Sequence, residues 1–280
     1  MKKITSLFIS ILFIGTLQAQ DLPKASPLGK TEQTVGVSKI SVEYSRPSVK
    51  GRTIFGDLVP FDKLWRLGAN SCTKFTCSSD VIFEAGTLPA GTYAMFATPS
   101  KSGEWTIDFN SNAEQSGTSD YDTAKNVVSV KAKAEANSFN ETLIIEINNV
   151  TSNSAVISIK WDKVRVDIPF TVETDKLAKK NIDDAIAKGE NLDVVYYRAA
   201  SYYHNSIKDD KMAMDYLSKS LAIKESHGSL FLKGQILFAE GKTKEAIEAA
   251  EKAHKLAVEA NAKGFADFIA STIEEWKSKK

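Results

Sequence analysis

The hydrophobic repeat changes once along this chain, at Glu173-Thr174-Asp175, and no other feature restricts the fold as strongly. Before it, short runs alternate apolar and polar residues, as in V-S-K-I-S-V-E-Y (37–44) and E-W-T-I-D-F (104–109). Alternation puts every second side chain on one face of a strand. Similar runs stand at 74–77, 80–84, 88–99, 126–136, 141–150, 154–161 and 163–172. About eight or nine strands with frequent turns and no helical period between them predict an antiparallel β-sandwich of jelly-roll type. Trp105 and Trp161 are expected in its core.

After Asp175 the apolar residues recur at three and four, beginning with Leu177, Ile182 and Ile186, and Gly189 is placed to cap that first helix. Further helices are read at 194–204, 212–223, 229–241, 243–260 and 264–278. The expected class is therefore α+β in two domains. Residues 35–172 form the β domain after a polar lead-in at 20–34, and 175–280 form an all-α domain.

Residues 1–19 read as a targeting segment. Lys2 and Lys3 precede an apolar run from Ile4 to Leu17, which falls short of the roughly 20 residues a bilayer span needs. Cleavage after Ala19 predicts a periplasmic or secreted protein of a Gram-negative-type bacterium, with no membrane association once the segment is removed. The formal net charge of +1, with both signs mixed along the chain, offers no footprint for nucleic acid.

Catalytic chemistry has little to stand on. The three histidines, His204, His227 and His254, all fall in the helical half, so the β half has no imidazole base or ligand. Cys72 and Cys77 lie five apart in one strand, about 16 Å from each other and facing opposite sides, so they cannot bridge and are expected as buried thiols. Ser71-Cys-Thr-Lys74 has S-x-x-K spacing, but in a strand that pair points to opposite faces. Phosphate-binding glycine motifs are absent, and neither a metal nor a cofactor is expected.

What stands out is Ser45–Asn70, S-R-P-S-V-K-G-R-T-I-F-G-D-L-V-P-F-D-K-L-W-R-L-G-A-N. It holds three of the chain's five arginines, although lysine outnumbers arginine about six to one overall. A guanidinium is a planar fork suited to carboxylates, phosphates and carbonyls, where lysine is a mobile point charge. Two readings are open. In one, Arg46, Arg52 and Arg66 tie the segment down onto carbonyls and onto Asp57 or Asp62, while its aromatic residues plug one end of the β domain. In the other, Arg46, Arg52, Trp65, Arg66 and Asn70 line a cleft for an anionic or sugar-like ligand. Asp57 and Asp62 also make an acid/base pair conceivable, and with it a hydrolase or lyase acting on a glycan or cell-wall substrate. Binding is the preferred reading and catalysis the alternative.

Two resemblances follow from these residues. The R-P-x-x-x-G-R-x-I-F-G and W-R-x-G-A-N elements, with L-P-A-G-T-Y-A-M-F and W-T-I-D-F, resemble the DUF2911 family of exported bacterial proteins over roughly residues 25–172. The resemblance implies a β domain and export, often with a helical repeat appended, and assigns no activity. In the helical half, Ala213–Leu221 aligns with Ala246–His254 at a spacing of 33 residues. The second copy resembles a tetratricopeptide repeat through Gly234, Gly241, Ala246 and Ala253, while Ser201 and Lys208 replace the two glycines in the first. That resemblance implies a groove for a protein or peptide partner.

Overall fold

The computed structural model describes residues 22–279, so the targeting segment predicted at 1–19 lies outside the described residues. The chain divides into two compact units. One is built from residues up to 33, 39–150 and 155–170, the other from 34–38, 151–154 and 171 onward.

The first unit is a nine-stranded antiparallel sheet in the order β1-β2-β3-β6-β7-β8-β9-β4-β5. Its strands are β1 (Leu28–Val35), β2 (Ser38–Ser45), β3 (Thr73–Cys77), β4 (Val81–Phe83), β5 (Gly86–Leu88), β6 (Gly91–Thr98), β7 (Glu104–Asn110), β8 (Asn126–Asn148) and β9 (Ser154–Thr171). Alternation does its expected work in β2 and β3, where Ile40, Val42, Phe75 and Cys77 face the interior and pair as Ile40 with Cys77 and Val42 with Phe75.

Several features depart from the sequence reading, among them the short strand β5 and a single nine-stranded sheet where a sandwich was expected. Residues 28–35 lie at the edge of the sheet as β1, although their polar G-K-T-E-Q-T text suggested only a lead-in. An edge strand with half-solvated faces needs no apolar alternation. The four runs between 126 and 172 are also parts of two long strands. Their pattern breaks mark folds in a ribbon: register shifts at Asn140 and a left-handed Asp162 (φ 52°) turn it back on itself. Across that fold, Ser158 Oγ donates to Asp167 Oδ1 at 2.6 Å within the same strand. The sheet thereby curls, and Phe83 of β4 stacks on Phe109 of β7 at 4.8 Å, with Phe75 edge-on to Phe109 at 5.1 Å.

The second unit holds six helices: α1 (Thr174–Lys188), α2 (Leu192–Tyr202), α3 (Asp210–Ile223), α4 (His227–Ala239), α5 (Thr243–Glu259) and α6 (Lys263–Ser278). Gly189 ends α1 in the left-handed region (φ 72°), its N–H on the Ile186 carbonyl. Asp209 and Ser226 cap α3 and α4 by accepting from Met212 N and Ser229 N. Between α2 and α3 the helix widens into one π turn (Tyr203–Ile207) that closes at Lys208. Helices α4, α5 and α6 share a core of Phe231, Leu237, Ala250, Ala253, Ile269 and Trp276. At the entry to α1, Thr174 Oγ1 donates to the Ser152 carbonyl at 2.6 Å. Gly36 sits against it so closely that an added Cβ would fall 1.9 Å from Thr174 Oγ1. Among the described residues no helix is long and apolar enough to cross a membrane.

Candidate functional site

After β2 ends at Ser45, the segment up to Asn70 has no regular secondary structure, yet its backbone is pinned at several points. Val49 N donates to the Glu141 carbonyl at 2.7 Å and Leu143 N to the Pro47 carbonyl at 2.9 Å, laying the start of the segment along β8. Lys50 and Gly51 (φ 50° and 70°) then turn the chain. Gly56 (φ 96°) lies so near Phe61 that a Cβ would meet its ring at 2.8 Å, so only glycine fits the bend. Trp65 pairs with Ala97 of β6 through both backbone bonds, at 2.7 and 2.8 Å.

Trp65 is 9% exposed and joins a cluster with Phe55, Trp105 and Trp161. Its ring stacks on Trp161 at 5.7 Å and 19°, and its indole N–H donates to the Gly68 carbonyl at 3.2 Å. Phe55 lies 5.1 Å from Trp105 and 6.2 Å from both Trp65 and Trp161. Four aromatic rings, two of them from the segment itself, thus pack together, with Trp65 and Trp161 forming the floor, and Trp161, 2% exposed, has an indole N–H with no partner among the described residues.

Over this floor opens a cleft of about 370 Å³, lined by residues of the first unit only. Its cations are Arg52, Lys63 and Arg66, and among the described residues no carboxylate lines it. Its walls are apolar, from Pro47, Leu58, Val59, Pro60 and Leu64, with Trp65 and Trp161 beneath. Thr118 reaches the rim from the loop after β7. That loop is fixed from below: buried Asn110 donates to the Asp122 carbonyl and to Asn126 Oδ1, and Tyr121 OH donates to buried Asp108 at 3.1 Å.

The three arginines differ in what they do. Arg46 is half-buried, donates through Nε to the Leu143 carbonyl at 3.1 Å, packs over Gly29 and does not line the cleft. Arg52 lines the cleft, but its Nε and Nη2 are committed to the Val49 and Ser48 carbonyls at 3.0 and 2.6 Å. Among the described residues the Arg66 side chain has no hydrogen-bond or ion-pair partner, and its Nε is buried without an acceptor. The backbone that aims it is strained: buried Leu67 takes φ 53°, a conformation costing a branched residue about 1–2 kcal/mol. Thr73 Oγ1, donating to the Leu67 carbonyl at 2.7 Å, holds that turn in place. Consecutive side chains are thereby split, Leu67 into the core and Arg66 into the cleft.

Of the residues singled out from sequence, Arg52, Trp65 and Arg66 come together and Arg46 and Asn70 stand outside the cleft. Asn70 bonds to the Ser26 carbonyl and Ser45 Oγ at 3.3 and 3.2 Å. Asp57 and Asp62 are exposed, are paired with none of the arginines and do not line the cleft. Lys63 was inside the segment but not singled out, and Thr118 carries no sequence signal at all. Both cysteines are buried and free. Burial pushes the Cys72 thiol up, and pushes Cys77 up to about 11, so neither is a thiolate at neutral pH. Among the described residues no cluster of three or more His, Cys, Asp and Glu could hold a metal ion.

Compared with known protein families, residues 26–170 match one described as "Protein of unknown function (DUF2911)". No curated protein and no solved structure matches the chain.

Proposed function

The chain belongs to the DUF2911 family, and since that family's description assigns no activity, we propose from the cleft itself that the protein is an exported binding protein for a small organic anion. The observation that carries this is the lining, three cations and no carboxylate around an aromatic floor, with one guanidinium left without a partner. A cation stripped of water on one side and unpaired gains more from a bound anion than a solvated surface lysine does. Export is supported by the leader pattern at residues 1–19. Binding is favoured over hydrolysis because Asp57 and Asp62, the carboxylates nearest in sequence, do not line the cleft.

The test is a thermal-shift screen of the mature protein against organic anions and neutral sugars of matched size. Anions should raise the melting temperature of the parent and not that of Arg66→Ala, which itself melts as the parent does because the side chain makes no bond to lose. If no anion shifts the parent, the reading fails.

The helical unit we read as a tetratricopeptide-like pair of hairpins, α2–α3 and α4–α5. Support comes from the 33-residue spacing and from Gly234, where an added Cβ would lie 3.0 Å from the Ala246 carbonyl of the facing helix. Lys208 and Gly241 close the turns after α2 and α4, both left-handed at φ 63° and 79°. Such hairpins stack to present a groove to a protein or peptide.

A further inference from the structure

We propose that the cleft takes a monocarboxylate carrying an apolar body, with Arg66 gripping the carboxylate; this rests on the anion-binding reading above. The first reason is how few donors are free. Arg52 has spent Nε and Nη2 on the Val49 and Ser48 carbonyls, and Lys63 is an exposed ammonium at the rim. Arg66 alone keeps both terminal nitrogens uncommitted, and only its Nε is closed off from solvent. Two parallel N–H groups match the two oxygens of one carboxylate.

The second reason is what the cleft lacks. Phosphate is often cradled by successive backbone N–H groups at a helix N-terminus. No helix contributes to this lining. Sugars need a spread of hydroxyl partners, and among the described residues the uncommitted neutral polar groups of this lining are Ser26, Thr118 and the indole N–H of Trp161, Trp65 having spent its own on the Gly68 carbonyl.

The third is the walls. Leu58, Pro60 and Leu64 face the same space as the guanidinium, above the Trp65–Trp161 stack, so a ligand that satisfies Arg66 also buries apolar surface. A volume of about 370 Å³ sits at the small end of ligand sites, which run to about 1,000 Å³, and suits a single ring or a short chain.

Calorimetric titration of the mature chain with phenylacetate and hexanoate, their primary amides, inorganic phosphate and glucuronate separates the cases. Both apolar carboxylates should bind, with the amides at least about tenfold weaker because the charge-assisted fork is lost. Arg66→Ala should lose at least about tenfold in carboxylate affinity, and Arg66→Lys, which keeps the charge without the fork, should recover only part of it. Amides binding as well as acids, or Arg66→Lys binding like the parent, overturns the fork. Phosphate or glucuronate binding through Arg66 while the apolar acids fail overturns this inference and leaves the anion cleft standing. Silence from every anion overturns both.

Discussion

The β unit and the helical unit solve the same problem, holding backbone close to backbone, with different residues and over different ranges of sequence. In the β unit the irregular segment 45–70 is held by groups far away along the chain. Arg46 reaches the Leu143 carbonyl, and Val49 N and Trp65 N donate to the Glu141 and Ala97 carbonyls, both at 2.7 Å. In the helical unit the contacts come from the next hairpin arm, and the side chains that permit them are the smallest. Gly234, Ala246 and Ala253 bring α4 and α5 together by leaving room. The lesson is that large aromatic and guanidinium groups can organise a chain without regular periodicity, whereas small residues need the helix to repeat them on one face.

The largest way to break that contrast is Trp161→Ala. Removing a ring that is 2% exposed, stacked on Trp65 and edge-on to Phe55, costs about 3–5 kcal/mol by the usual measure of buried aromatic truncation. Denaturant titration followed by tryptophan fluorescence should show that loss. The helical signal near 222 nm should keep its parent midpoint, since the cluster lies wholly in the first unit. A common midpoint that drops with the fluorescence would show that the two units do not unfold separately.

How much of this was written in the sequence follows the same division. Each helix was legible to within a few residues, because a period of three and four is a local property and Gly189 punctuates it. Most strands of the β unit were legible, but β1, β5 and the joins were not. Residues 28–35 carry no alternation because an edge strand has little to bury, and the folds at Asn140 and Asp162 look like strand ends when the partner strand is unseen. The cleft was half legible. Arginine enrichment pointed to a segment that borders it, and Arg52, Trp65 and Arg66 meet there. Which arginine is free depends on where the carbonyls of Ser48, Val49 and Leu143 come to lie, and Leu143 is 97 residues from Arg46. Nothing in the local text distinguishes Arg66 from Arg46. Asn70 looked equally eligible, and its amide is taken up by Ser26 and Ser45.

A smaller effect sharpens the helical side. Gly234→Ala adds a methyl 3.0 Å from the Ala246 carbonyl and 3.3 Å from the Trp276 ring, which is itself stacked on Phe238 at 4.7 Å and cannot retreat. Alanine gains up to about 1 kcal/mol of helix propensity, against about 1–3 kcal/mol for overpacking. The expected balance is a loss of about 1 kcal/mol, read as a lower midpoint of the 222 nm transition. A gain would mean that α4 and α5 are held apart more loosely than their small residues suggest.

The smallest effect has the opposite sign. Lys208 closes the turn after α2 at φ 63°, where the corresponding Gly241 sits at 79°. A lysine in that region is strained by about 1–2 kcal/mol, while glycine costs about 0.5–1 kcal/mol through the entropy of the unfolded chain. Lys208→Gly should therefore stabilise the helical unit by about 0.5 kcal/mol, roughly 1–2 °C in its midpoint. Gly241→Ala supplies the mirror experiment. Nothing lies within 4 Å of the Cβ it would add, so any loss reports backbone conformation alone. If Lys208→Gly stabilises and Gly241→Ala destabilises by similar amounts, the two turns are energetically equivalent and the repeat is real at the level of its backbone. Unequal responses would make the 33-residue spacing a likeness of sequence without a likeness of turn.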